Sequence, residues 1–249
     1  TIGASHSAAS VKRRNSLTSP ASSLPIRRVT SQARRSMSTA ALRLWSDLMA
    51  KFNPSTSALV FVDLQNDFLH PDGAYGRAGV SCDAISALPS RIKPIADAIR
   101  ATGGWIISTH FTLVPGKEGI PFISSHLKEL RPFLAKGDFL PGSTGHALVD
   151  ELQPTDLSVE KVAFSAFYQT RLEWVLNRAG IETLVFTGIV TNGGVASTVR
   201  DAHVRDFRSI VLSDGCAAFS DEVHRANIAA LASVAEIMTC EKFSGQIVR

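Results

Sequence analysis

From residue 54 onward the chain alternates short apolar runs with helix-like stretches, and this alternation is the feature that most restricts its fold. Strands buried on both faces read as unbroken apolar runs, and strands connected through helices lie parallel in one sheet. Residues 58–63 form such a run, apolar until it ends in the carboxylate of Asp63. Further strands are expected at 105–109, in a short segment ending near Lys161, and at 183–187, 209–213 and 235–240. Helices are expected at 84–101, 170–179, 195–206 and 221–233, with Gly103, Gly104 and Gly180 as stops and Ser220 as a cap. The predicted architecture is a three-layer α/β/α sandwich around a six-stranded, parallel, doubly wound sheet. Residues 110–145, rich in proline and glycine, interrupt the pattern and are expected to be irregular apart from one short helix at 124–134.

Charge separates a leader from this body. The 249 residues carry a formal +4, yet residues 1–46 hold eight basic side chains and no acid, so the remainder carries −4. A mildly acidic body is a poor partner for nucleic acid, whose phosphates need clustered Lys and Arg on a folded face. The Arg- and Ser-rich leader, residues 1–53, is expected to be disordered, ending in a short amphipathic helix at 39–52. It also fits a mitochondrial transit peptide cut near Met37, or upstream sequence bypassed by a start at Met37, which leaves a mitochondrial or a cytoplasmic location open. No apolar run reaches the ~18 to 20 residues of a membrane span. Three cysteines, Cys82, Cys216 and Cys240, with no Cys-x-x-Cys pair, indicate a reducing compartment and no structural zinc.

Ligands of doubly wound sheets bind beyond the carboxyl ends of the strands, where the strand order reverses. Three segments reach that edge with polar chemistry: Asp63 to Phe68, Lys161 to Phe167, and Thr191 to Val195. The sequence has no Gly-x-Ser-x-Gly elbow, no phosphate loop and no Asp-x-Asp after the first strand, which argues against serine hydrolases, P-loop enzymes and aspartyl-phosphate enzymes.

At these residues the body, from about Ser57 to Phe243, resembles the isochorismatase-like hydrolase superfamily of isochorismatases, nicotinamidases and N-carbamoyl amidohydrolases. The resemblance rests on D-x-Q-x-D-F at the end of the first strand, Lys161 ahead of S-A-F, and T-x-x-x-V-x-x-T-x-R-D-A from Thr191 to Ala202. It implies an Asp, Lys, Cys triad, but Gly194 stands where the amidohydrolases carry Cys. Glycine has no nucleophile, so thioester chemistry is impossible at that position. The isochorismatases of the family also have Gly there, and the resemblance then implies acid-catalysed vinyl ether hydrolysis on a small anionic substrate, with Asp63 as acid and Lys161 as anchor. It further implies a non-proline cis bond at Val190–Thr191, backbone amides around Gly193 and Gly194 that stabilise developing charge, no cofactor, and a homodimer or homotetramer.

Each residue has a structural alternative. Asp63 could be a helix cap or half of an ion pair, and Lys161 an exposed strand-end charge; Gly193 and Gly194 could serve only the start of a helix. Phe68 and Tyr168 are expected to wall the pocket, and His110, Thr191 and Asn192 to face the substrate. His110 lacks the second ligand of an Asp-x-His metal site, so no metal is expected. Asp67 reads as a local cap or surface partner, Arg200 and Asp201 as a structural ion pair, and Cys216 as a buried thiol or a displaced nucleophile. The competing functions are an amidohydrolase lacking the usual Cys or using Cys216, a non-catalytic binding protein, and last a nucleotide-binding module using Asp214. Lys117, Lys128, Arg131 and Lys136 are the candidates for setting substrate choice.

Overall fold

The computed structural model describes residues 52–80 and 82–247. The leader, its amphipathic helix and its cleavage site fall outside them, except for Phe52, whose ring packs edge-on against Phe243 at 5.4 Å. The elements used below are β1 (Ser57–Val62), α1 (Leu88–Ala101), β2 (Trp105–Phe111), α2 (Ser125–Leu130), β3 (Leu157–Lys161), α3 (Leu172–Arg178), β4 (Thr183–Gly188), α4 (Ala196–Val204), β5 (Arg208–Cys216), α5 (Asp221–Leu231), β6 (Glu236–Met238) and α6 (Cys240–Ile247).

The six strands form one parallel sheet in the order β3-β2-β1-β4-β5-β6. The chain winds outward one way from β1 and then the other way from β4, so the order reverses between these two central strands. All six residues of β1 are buried, which accounts for the unbroken apolar run. Alternation divides that strand between two cores. Leu59 and Phe61 pack with Leu88, Ile92 and Ile99 of α1 and with Phe243 and Ile247 of α6. Ala58, Val60 and Val62 pack on the opposite face with Leu172 and Leu176 of α3, Val199 of α4 and Leu231 of α5. The predicted three-layer sandwich is the observed one.

Several boundaries differ from the sequence expectation. The helix expected at 84–101 is divided into Asp83–Ser86 and α1, with Ala87 at the joint. Pro89, near the start of α1, has no N–H to donate to the preceding turn, and the break falls just before it, whereas α1 continues through Pro94. Strands β2 and β5 run further than expected, to Phe111 and Cys216. The short helix in the 110–145 excursion covers only Ser125–Leu130, capped by the Ser124 side chain on the Leu127 amide. The excursion carries a third apolar cluster, in which Leu113, Leu134 and Phe139 join Ala74 and Tyr75, with Phe68 and Phe111 against them. This cluster builds one wall of a cleft at the switch point.

Candidate active site

The chain leaves β1 through Asp63, whose φ of 56° turns it out of the sheet into the left-handed region. Its amide still donates to Thr109 O of β2 at 3.1 Å, so the turn is anchored to the sheet. The carboxylate is almost wholly buried, and both of its oxygens are engaged. Thr109 Oγ1 donates to Oδ1 at 2.9 Å, and Lys161 Nζ lies 2.7 Å from Oδ2. Lys161, the last residue of β3, is equally buried and gives a further hydrogen bond to Ala163 O at 2.9 Å. The Asp63 carboxyl is held above its usual range by burial, with Lys161, Thr109 and His110 opposing that rise.

After β4 the chain makes a wide, π-type turn over Thr191–Val195 that leads into α4. Gly194 in this turn closes on the carboxylate. A β-carbon built there would lie 2.8 Å from Ile189 O and 3.0 Å from Asp63 Oδ2. Position 194 is thus a direct neighbour of the acid, and it offers no nucleophile. The non-proline cis bond is at Ile189–Val190, one residue earlier than expected.

Asp63 and Lys161 open into a cleft of about 180 Å³ walled by Phe68, Tyr75, Phe111, Leu127, Leu130, Leu134, Phe164, Val190 and Phe219, with Asn192, Gly193 and Gly194 along one side. Arg131 is the one further charged residue on its surface. Its Nε donates to the Tyr75 hydroxyl at 3.0 Å and its Nη1 to Leu130 O at 2.8 Å, and Tyr75 itself lies parallel to Phe219 at 5.5 Å. Among the described residues, none that lines the cleft is a Cys, Ser or Thr. The arrangement suits a small ligand with an apolar body and an anionic end, its reacting bond beside Asp63.

The expected site residues are therefore brought together in part. Asp63, Lys161, Gly194, Phe68, Asn192 and Gly193 line the cleft as expected, whereas Tyr168, His110 and Thr191 do not. Tyr168 is exposed beyond the turn that its amide makes to Ser165 O, and Phe164, nearer Lys161, takes the place on the wall. His110 lies within β2, between Thr109 and Phe111, so the two-residue period sends it to the opposite face. There it is hydrogen-bonded to Ser108 Oγ and to His146 O, at 2.8 and 2.9 Å. Thr191 directs its hydroxyl to His224, away from the cleft.

Three secondary expectations also change. Asp67 is a cap but a buried one, accepting from the amides of Ala74 and Phe139 at 3.0 and 2.6 Å, with Gly145 so close that a β-carbon there would collide with the carboxylate. Asp201 bonds Ser165 and pairs with Arg205, one helical turn on, whereas Arg200 bonds Ala196 O. Cys216 is buried with its Sγ 3.7 Å from Phe186 O and lies outside the cleft, and burial pushes its thiol far above the usual range. Of the four basic residues in the excursion, Arg131 alone faces the cleft. Tyr75, Leu127, Leu134 and Phe219 were missed because each belongs to a connecting segment whose packing partners are remote in sequence.

Among the described residues no cluster of three or more His, Cys, Asp or Glu could hold a metal ion. No helix among them is long and apolar enough to cross a membrane.

Comparison with known proteins gives a consistent result. Residues 57–242 match the model of the isochorismatase domain. The chain is 37% identical over 179 residues to a ureidoacrylate amidohydrolase RutB of Yersinia enterocolitica, covering 66% of this chain and 76% of that protein. It is 36% identical over 192 residues to the RutB protein of Methylobacterium radiotolerans, covering 71% of this chain and 73% of the other. Among solved structures, a cysteine hydrolase from Pseudomonas syringae superposes with a TM-score of 0.69 at 24% identity, over 80% of this chain and 95% of that one. An N-carbamoylsarcosine amidase from Thermoplasma acidophilum superposes with a TM-score of 0.59 at 24% identity, over 74% and 96%.

Proposed function

The chain belongs to the isochorismatase domain family of hydrolases, and on that basis we propose that it hydrolyses a small anionic substrate by proton transfer at Asp63, with water as nucleophile and no covalent intermediate. The observation that carries this reading is the neighbourhood of the acid. Position 194 is glycine in contact range of the carboxylate, and among the described residues none that lines the cleft is a Cys, Ser or Thr.

The bond to be broken is, in the first reading, a vinyl ether. Burial favours the protonated carboxyl of Asp63, the form that can act as an acid. Asp63 gives its proton to the terminal alkene carbon, which leaves an oxocarbenium centre. Water adds to that centre and returns a proton to the carboxylate, and the hemiketal separates into a carbonyl compound and an alcohol. Lys161, whose ammonium is committed to Asp63 and Ala163 O, stabilises the ionised carboxylate between these steps instead of binding the substrate. Arg131, with two of its nitrogens bonded, presents the remaining positive edge to the anionic end of the substrate.

A second reading is favoured by the names of the relatives, both amidohydrolases. In it Asp63 directs water onto an amide carbonyl whose oxygen lies against the Asn192–Gly194 backbone. The two readings separate when the full chain is incubated with isochorismate and with a panel of amides that includes ureidoacrylate and nicotinamide. Pyruvate release from isochorismate supports the first and amide cleavage the second; no turnover of any of them contradicts both.

A further inference from the structure

Thr191 faces away from the cleft, and what it faces gives it a different role. Its side chain is wholly buried, with Oγ1 hydrogen-bonded to Nδ1 of His224 on α5 at 2.8 Å. Its amide donates to Ala217 O, just past β5, also at 2.8 Å. Two bonds from one residue thus fasten the first position of the catalytic turn to two other parts of the fold. The next three residues, Asn192, Gly193 and Gly194, form one side of the cleft. Two of them are glycines, which lose the most conformational freedom on ordering, so this backbone depends on its neighbours to hold it. Outside the turn, Gly193 N–H and Val195 N–H both return to Val190 O, a residue before the turn, and tie it only to its own entrance. At its far end the turn is held to α4, where Thr198 Oγ1 donates to Gly194 O at 2.7 Å and accepts from the Ala166 amide at 3.1 Å; at its start it is fastened by the Thr191 pair of bonds.

His224 is placed for this purpose and not for contact with substrate. It lies outside the Asp63 cleft and instead lines a separate depression of about 280 Å³, with Arg91, Asp214 and Asp221. Its helix begins at the Ser220 cap, which fixes the first turn of α5 by accepting from the Val223 amide. The imidazole therefore projects from a defined helix start onto the back of the catalytic turn.

We infer that His224 is a positioning residue for the active site: through Thr191 Oγ1 it holds the Asn192–Gly194 backbone in the place where it borders Asp63. The inference rests on the reading of the Asp63 cleft as the active site, but its structural half can be tested without any substrate.

The test is hydrogen exchange in the full chain, following peptides that span residues 189–197 and, as a control, peptides from β1 and β2. The variants are His224→Ala, Thr191→Val, the double variant, and His224→Asn, whose side-chain amide can occupy the place of Nδ1. Loss of one neutral hydrogen bond of ~1 kcal/mol corresponds to roughly a five- to tenfold faster exchange. That acceleration is expected in 189–197 for His224→Ala and for Thr191→Val, with β1 and β2 unchanged, the double variant no faster than either single one, and His224→Asn close to wild type. With a turned-over substrate, kcat should fall roughly tenfold in His224→Ala while KM stays within about twofold, the pattern of a lost transition-state interaction. Unchanged exchange at 189–197, equal loosening of β1 and β2, or no rescue by Asn would each overturn the positioning role. A wild-type protein that turns over nothing contradicts the proposed function alone, since the exchange result stands by itself.

Discussion

A β-carbon on Gly194 would stand 3.0 Å from Asp63 Oδ2 and 2.8 Å from Ile189 O. The acid and the glycine turn are in contact, and the space that a nucleophilic side chain would need is partly closed by main chain. Gly194→Ala must move the backbone oxygen or the carboxylate. Overpacking of this kind costs about 1–3 kcal/mol, so the urea midpoint should drop without a change in slope, and activity should fall with it. An alanine variant as stable and as active as wild type would show that the turn has room to spare.

On the proposed mechanism, the titration of Asp63 sets the pH dependence. Burial raises its pKa, and the reaction by the first reading needs the protonated carboxyl, so kcat/KM should be highest at low pH and decline as pH rises through that raised value. The stability contribution has the same sign. It is complete below the ordinary carboxylate pKa and is lost as pH rises through the folded-state value. Lys161 is the largest influence opposing the rise, so Lys161→Met should move the falling limb to higher pH. Rate profiles of the two proteins against pH check the direction of that movement.

Arg131 should act on substrate binding. Its guanidinium is held by the Tyr75 hydroxyl and Leu130 O, so Arg131→Leu removes a preset charge at the end of the cleft. A charge-assisted hydrogen bond contributes about 1.5–3 kcal/mol, which corresponds to a KM increase of roughly ten- to a hundredfold. The effect should vanish for a substrate analogue whose acid is esterified, and steady-state kinetics on the pair of compounds decides it.

The thiols should be dispensable. Cys216 and Cys240 are both buried, with the Cys240 thiol pushed up to about 12 chiefly by burial, and neither lines the cleft. Cys216→Ala should retain turnover, and iodoacetamide should leave the native enzyme active even where the half-buried Cys82 is alkylated. Inactivation by the reagent that Cys216→Ala abolishes would restore Cys216 as a nucleophile.

The parts of the molecule that could be read from sequence are those fixed by local pattern. The strands β1 to β6, the switch point and Asp63 at the end of β1 follow from apolar runs and from residues at their ends, whereas Lys161 and Gly194 were singled out by the resemblance to the isochorismatase-like hydrolases. His110 was misplaced because β2 continues two residues past its expected end, and in a strand one position decides the face. Thr191 and Tyr168 lie in connecting segments, where side-chain direction depends on φ and ψ values that composition does not reveal. The aromatic wall was only partly legible for a related reason. Phe68, Tyr75, Phe139 and Phe219 meet across more than a hundred residues of chain, from the segment after β1, the excursion and the segment after β5, so no local pattern announces their contacts.

In the mechanism proposed above Asp63 is the proton donor, and Asp63→Asn removes that function. The substitution keeps the shape and removes the transferable proton, and above the raised Asp63 pKa it also leaves Lys161 without its countercharge. Stability should therefore fall by about 3–5 kcal/mol in that range and by less below it, and the comparison is made below the variant's own melting temperature, with circular dichroism showing it folded. Under those conditions turnover of the best substrate should drop by at least about a hundredfold, the usual share of a general acid. A folded Asp63→Asn protein that retains turnover within about twofold of wild type would contradict the account.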